Sequence, residues 1–137
     1  MDTYAGDITP AEAWELLESN PAAILVDVRT EMEWEQVGIP DASSLGKETA
    51  FIEWVRAGGV PNPGFVDELK ATGVEPGAPI VMLCRSGQRS IGSAIAATAA
   101  GLGPAYNVLE GFEGAPDDAG NRNVEGWKVA GLPWRQR

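Results

Sequence analysis

Pro79-Ile80-Val81-Met82-Leu83-Cys84-Arg85-Ser86-Gly87-Gln88-Arg89-Ser90 is a continuous apolar run that ends on a cysteine, a glycine-containing turn and two arginines. A short apolar run between turn signals reads as a strand buried on both faces. The alanine-rich residues 91–100 behind it read as a helix that stops at Gly101-Leu102-Gly103. Strand, turn and helix in that order make one unit of a parallel α/β sheet. Cys84 is the only cysteine of the chain. The unit puts it just beyond the carboxyl end of a strand, where ligands bind in open parallel sheets.

Working outward, the same alternation recurs. Thr9-Pro10-Ala11-Glu12 is a capping box with proline at the first helical position. Ala13, Trp14, Leu16 and Leu17 supply its apolar stripe, and Asn20-Pro21 stops it. Residues 22–28 form a second buried strand, and 30–36 a short helix ended by Gly38-Ile39-Pro40. Phe51-Ile52-Glu53-Trp54-Val55 alternates weakly and reads as a strand. Asn62 is the expected cap of a helix that Pro63 opens, Phe65, Val66 and Leu69 stripe, and Gly73 closes. Residues 105–109 form a further strand, 111–126 a glycine-rich acidic loop, and 127–130 one helical turn. No internal repeat or low-complexity segment is visible. The expectation is one α/β domain over residues 1–137, with a mainly parallel sheet flanked by helices.

Composition narrows the function classes. The 137 residues carry a formal charge of −10, so the surface as a whole repels nucleic acid and anionic membranes. There is no histidine, which removes Ser–His and Cys–His pairs and any histidine metal site. One cysteine forms no internal disulfide and supplies no resolving thiol. The first residues lack the apolar stretch of a signal peptide, and no segment is long enough to span a bilayer. A cytoplasmic location is the expectation.

The loop itself suggests its chemistry. Four residues separate Cys84 from Arg89. A thiol-to-arginine segment this short curves tightly with its N–H groups inward, and Gly87 relieves the steric demand at the tightest point. The helix dipole, Arg85 and Arg89 are expected to favour the thiolate, the reactive form of cysteine. Alanines and Gly92 are expected to let the following helix pack closely on the sheet. A sulfur so held can attack a sulfane sulfur and keep it as a persulfide, or attack phosphorus. Phosphoryl chemistry needs room for three equatorial oxygens. Cysteine phosphatases use a longer loop, so this cup suits a terminal sulfur better. A phosphatase also needs an acid for the leaving alcohol. Asp41 and Asp67 are the candidates, and no spacing ties either to Cys84.

Residues 84–90 after an apolar strand resemble the active-site loop of the rhodanese sulfurtransferases. The resemblance covers most of the chain. Leu25-Val26-Asp27-Val28-Arg29 with Glu33-Trp34 is similar to that family's Asp-x-Arg…Glu-aromatic segment. Ile39-Pro40-Asp41-Ala42 is similar to its Gly-His-Ile-Pro-Gly-Ala element, with Gly38 standing where the family commonly has histidine. Tyr106-Asn107-Val108-Leu109-Glu110-Gly111 and Gly126-Trp127-Lys128 with Gly131-Leu132-Pro133 are similar to its later segments. Residues 43–63 and 114–126 are longer than in the smallest members. The resemblance implies a three-layer rhodanese-like fold and a two-step cycle. Cys84 takes a sulfur from a donor such as thiosulfate, and a nucleophile such as cyanide or a thiol removes it. Backbone amides of residues 85–90 would hold the outer sulfur, Arg85 and Arg89 would draw an anionic donor, and the Ser86 and Ser90 hydroxyls would add hydrogen bonds. Gly87 and Gln88 complete the substrate-binding set. No metal or organic cofactor is required, and the acceptor must be a separate molecule, small or a protein thiol.

Plainer roles stand beside these. A single buried cysteine is often inert packing. Arg29 with Glu33 reads as a structural salt bridge from strand to helix, and Asp27 as a residue that orients an arginine or caps a helix. Trp54, Trp127 and Trp134 read as core packing before pocket lining, and residues 110–118 as a solvated acidic loop. Two other functions compete: a rhodanese-like module that binds or carries sulfide without turnover, and a small cysteine phosphatase or arsenate reductase.

Overall fold

A computed structural model describes residues 3–122 and 124–137. Met1, Asp2 and Asn123 lie outside the described residues, as do the expectations that fall on them. Along the chain run β1 (Gly6–Ile8), α1 (Pro10–Ser19), β2 (Ile24–Asp27), α2 (Glu31–Val37), β3 (Ile39–Pro40), β4 (Ala50–Phe51) and β5 (Val55–Arg56). There follow β6 (Val60–Pro61), α3 (Phe65–Ala71), β7 (Ile80–Leu83), α4 (Arg89–Ala99), β8 (Ala105–Val108) and β9 (Trp134–Arg135). Five strands make one sheet in the order β1-β8-β7-β2-β4, and every neighbouring pair in it is parallel. This is the parallel α/β architecture expected from the alternation of strands and helices. Among the described residues no helix is long and apolar enough to cross a membrane.

The two-residue period of β7 divides the core. Ile80 and Met82 join Val26, Phe65, Leu69, Ala94 and Ala97 on the face that α3 and α4 cover. Val81 and Leu83 join Leu25, Ala13, Leu17, Phe112 and Trp127 on the opposite face, under α1 and the C-terminal segment. All four β7 residues are fully buried, each worth about 1.5–3 kcal/mol of apolar burial. Cys84 follows Leu83 in register, so its side chain falls on the α3/α4 face.

Capping chemistry sets both early helices. Thr9 Oγ1 accepts from the Glu12 amide at 3.1 Å, and Glu12 accepts from the Thr9 amide at 2.9 Å. Thr30 and Glu33 repeat the device at α2, which runs one residue beyond the expected end. The segment after β3 is moored by Lys47, whose ammonium donates to the carbonyls of Asn20, Pro21 and Ala23 at 3.1, 3.2 and 2.6 Å. Burial there pushes the Lys47 pKa down.

Four expectations need correction. The strand expected over residues 51–55 pairs in the sheet only at Ala50–Phe51. Ile52 and Trp54 still donate to the Asp27 and Val28 carbonyls. The Asn62 side chain takes the Glu53 carbonyl at 2.8 Å, and the chain turns into the β5–β6 hairpin. The helix expected from Pro63 starts at Phe65, with Gly64 at the N-cap. Asn62 Oδ1 accepts from the Gly64 amide at 3.0 Å, and its amide nitrogen is committed to Glu53 and Glu68. Gly92 makes room for Trp54 instead of the sheet: a Cβ there would lie 2.9 Å from Trp54 Nε1. Residues 110–118 are more ordered than a solvated loop, since Glu110 accepts from the Gly126 amide at 2.8 Å and Asp117 accepts from the amides of Ala119 and Asn121. Strands β1 and β9 had no signal in the sequence.

Candidate functional site

Cys84 ends β7 and Arg89 begins α4, so the loop spans the gap between a strand end and a helix start. The Gly87 amide donates to Cys84 Sγ at 3.2 Å, and Ser90 Oγ lies 3.1 Å from the same sulfur. Gly87 takes φ +90°, and a Cβ there would meet the Leu109 carbonyl oxygen at 2.0 Å. Glycine is therefore required twice over, by conformation and by close approach. The amides of Ser86, Gln88 and Arg89 have no acceptor among the described residues. Amides left without an acceptor on a tight loop are available to an anion or a polarisable sulfur.

A second loop backs the first. Phe112 donates to the Cys84 carbonyl at 2.8 Å, and Glu113 and Gly114 donate to the Arg85 carbonyl at 2.9 and 3.1 Å. Gly111, at φ +68°, lets the two backbones touch; a Cβ there would lie 2.6 Å from Ser86 N. Beneath the sulfur, Ser90 donates to Asn107 Oδ1. The Asn107 amide donates to Asp7 Oδ1 at 3.0 Å and to the Gly87 carbonyl at 3.1 Å. Those two acceptors fix which way the Asn107 side chain points. Ser90 and Asn107 are both fully buried.

Carboxylates match the arginines. Arg89 forms a two-pronged pair with Glu33, Nη1 to Oε1 at 2.8 Å and Nη2 to Oε2 at 2.9 Å. Burial alone would raise the Glu33 pKa, but the hydrogen bond and charge of Arg89, with the Thr30 amide, outweigh it and hold the carboxyl below its ordinary value. The same hydrogen bond holds Arg89 above its own. Arg85 Nε pairs with Glu113 at 3.1 Å and remains half exposed.

A family model for the rhodanese-like domain matches residues 9–115. The chain belongs to the rhodanese-like family. An uncharacterized protein of Rickettsia conorii is 39% identical over 130 residues, which cover 94% of this chain and 96% of that one. The crystal structure of Rv0390 from M. tuberculosis superposes with a TM-score of 0.92 at 56% identity, covering 98% of this chain and 100% of that one. The solution structure of the polysulfide-sulfur transferase homodimer from Wolinella succinogenes shares the fold, with a TM-score of 0.65 at 22% identity over 99% of this chain and 80% of that one.

Within this rhodanese-like site, the residues singled out from sequence divide into two groups. Cys84, Gly87 and Ser90 converge on the sulfur, and Ser86 and Arg89 line the loop with unengaged amides. The Ser86 hydroxyl makes no hydrogen bond to Sγ, and Gln88 is exposed with its side chain unengaged among the described residues. Arg85 turns to Glu113. The expected Arg29–Glu33 bridge does not form. Arg29 bonds Asp27 instead, Nε to Oδ1 at 3.0 Å and Nη2 to Oδ2 at 2.8 Å, because residues two apart on an extended chain share a face. Fully buried, Arg29 also donates to the Gly38 carbonyl at 2.7 Å and lies 4.3 Å above the Phe112 ring. Asp27 thus orients an arginine, as expected.

Neither proposed acid reaches the sulfur. Asp41 lines a separate cavity of about 420 Å³ whose walls include none of residues 84–90, and Asp67 is exposed on α3. Two of the three tryptophans pack as expected: Trp127 is fully buried and Trp54 meets Phe65 edge-on at 5.0 Å; Trp134 is exposed, against expectation, with its ring centre 6.2 Å from that of Phe112. Three site residues escaped sequence reading. Asn107 had a usable signal, a polar residue inside an apolar strand. Glu33 and Glu113 had none for their partners, which lie 56 and 28 residues away.

Proposed function

We propose that the protein is a sulfurtransferase whose Cys84 carries a sulfane sulfur as a persulfide. The carrying observation is the buried Cys84 sulfur at the end of β7, which accepts from the Gly87 amide and touches Ser90 Oγ, on a loop whose Ser86, Gln88 and Arg89 amides have no acceptor among the described residues. Cys84 thiolate attacks the outer sulfur of a donor. With thiosulfate, the donor's S–S bond breaks, sulfite leaves with the electron pair, and Cys84 becomes a persulfide. Cyanide or a thiol then attacks the terminal sulfur and restores the thiolate. Amides of residues 86–89 stabilise the outer sulfur without reorganising. The acceptor is a separate molecule, a small thiophile or a protein thiol, because the chain has one cysteine. No metal or organic cofactor enters this cycle.

Two features weigh against phosphoryl transfer. The loop has four residues between cysteine and arginine, and neither Asp41 nor Asp67 sits by it. The test is intact mass after thiosulfate, mercaptopyruvate or a low-molecular-weight persulfide. The expected result is a gain of one sulfur atom, its loss to cyanide with release of thiocyanate over many turnovers, and neither in a folded Cys84→Ser variant. A single stoichiometric discharge with no sustained thiocyanate would identify a carrier module, and hydrolysis of an aryl phosphate a phosphatase.

A further inference from the structure

Every arginine at this loop is already matched. Arg89 spends both Nη groups on Glu33, whose Oε1 is pinned from behind by the Thr30 amide at 3.2 Å and the Thr30 hydroxyl at 3.1 Å. The pair is mostly shielded, with side-chain exposures of 31% and 19%, so solvent does not loosen it as it would an open surface bridge. Arg85 is tied through Nε to Glu113, on the loop whose amides grip the Arg85 carbonyl. Arg29 is closed on Asp27. Each of these three guanidinium groups thus has a carboxylate partner, in a chain of net charge −10. Apart from the Arg85 guanidinium, held beside Glu113 at the rim through Nε alone, what the loop still offers a ligand is neutral: the amides of Ser86, Gln88 and Arg89. A ring of neutral donors suits a single terminal sulfur. It leaves the sulfonate end of a dianion no cation without a carboxylate partner: such a donor would have to compete with Glu33 for Arg89 or with Glu113 for the half-exposed Arg85.

We propose, resting on the sulfurtransferase reading above, that Glu33 and Glu113 set donor selectivity by neutralising the loop arginines, and that the fitting donor is the persulfide of an organic thiol, not a dianion such as thiosulfate. The step balances. Cys84 thiolate attacks the outer sulfur of R–S–SH, the new Sγ–S bond forms as the donor's S–S bond breaks, and R–S⁻ leaves with the electron pair and takes a proton from solvent. The transferred sulfur keeps its hydrogen, and no oxidant or reductant is consumed. Glu33 is here a specificity-determining residue; it holds Arg89 and does not react.

The experiment compares kcat/KM for cysteine persulfide and for thiosulfate in the wild-type chain, Glu33→Gln and Glu113→Gln. Glutamine keeps the capping-box acceptor at position 33, so α2 is retained; circular dichroism checks the fold. Wild type is expected to prefer cysteine persulfide. Glu33→Gln should raise thiosulfate kcat/KM about tenfold, the effect of freeing one partly shielded charge, and change the persulfide value less than about threefold. Glu113→Gln, on the more exposed pair, should shift the ratio the same way by about threefold, and it carries the test if the first variant misfolds. Equal use of both donors by wild type, or a donor ratio unmoved in either folded variant, overturns the selectivity proposal while leaving the sulfurtransferase reading intact. If no donor loads sulfur on Cys84 in any form, the parent reading fails and this one with it.

Discussion

Gly87 is where one hydrogen atom decides whether the site exists. Its amide is on the sulfur, its carbonyl takes the Asn107 side chain, and its α-carbon faces the Leu109 carbonyl. The atoms a Cβ would meet, the carbonyls of Leu109 and Val108, are backbone and cannot swing aside. Gly87→Ala forces the loop of residues 84–90 away from the turn at 109–111 and strains a backbone held at φ +90°. We expect a loss of about 2–4 kcal/mol in urea unfolding, with the surviving folded protein unable to load sulfur. A variant with near-native stability and normal loading would mean that the two loops are not held together as described. The glycine was legible from sequence as the relief point of a tight turn. The reason it admits no substitute was not, because Leu109 joins the turn only through the pairing of β7 with β8.

At the scale of elements, the two buried strands and the capping box of α1 were readable because each is written in consecutive residues; the matching box at Thr30 and Glu33 went unread, and only the short helix behind it was expected. Runs of β-branched and apolar residues give β2 and β7, and threonine three residues before glutamate gives the start of α1. β1 was not readable, since an edge strand of three residues with one apolar side chain has almost no pattern to show. The Glu33–Arg89 pair was hidden for another reason. It joins the first turn of α2 to the first turn of α4, a juxtaposition that only the sheet order creates. That pair makes stability depend on pH with a definite sign. Glu33 ionises in the folded chain below its ordinary value of 4.5, so the folded state binds the carboxyl's proton more weakly than the unfolded state does. The resulting stabilisation is complete above about pH 4.5 and is lost as pH falls through the lower folded value. The difference in urea midpoint between wild type and Glu33→Gln should therefore be level from pH 6 down to about 5 and shrink below it. A gap at pH 3 as wide as at pH 6 would show that Arg89 does not hold the carboxylate.

For the whole molecule, the question is what reaches the loop and at what rate. A chain of charge −10 surrounds the site with a negative potential, and paired arginines at the rim do not reverse it locally. The range of that potential depends on salt: the screening length is about 30 Å at 0.01 M and about 8 Å at 0.15 M. In dilute buffer a dianion feels the entire surface as it approaches; at physiological strength it feels only the neutralised rim. Attraction to a cationic funnel would make kcat/KM fall with salt. This arrangement requires the reverse. Thiosulfate kcat/KM should rise severalfold between about 0.01 and 0.15 M sodium chloride, and a zwitterionic persulfide should respond much less, its net charge being smaller. A steady fall with thiosulfate would mean that Arg85, whose outer nitrogens reach solvent beside Glu113, steers anions strongly enough to outweigh the rest of the surface. Repeating the titration on Arg85→Gln then separates the two contributions, because only a steering residue would take the salt dependence with it when removed.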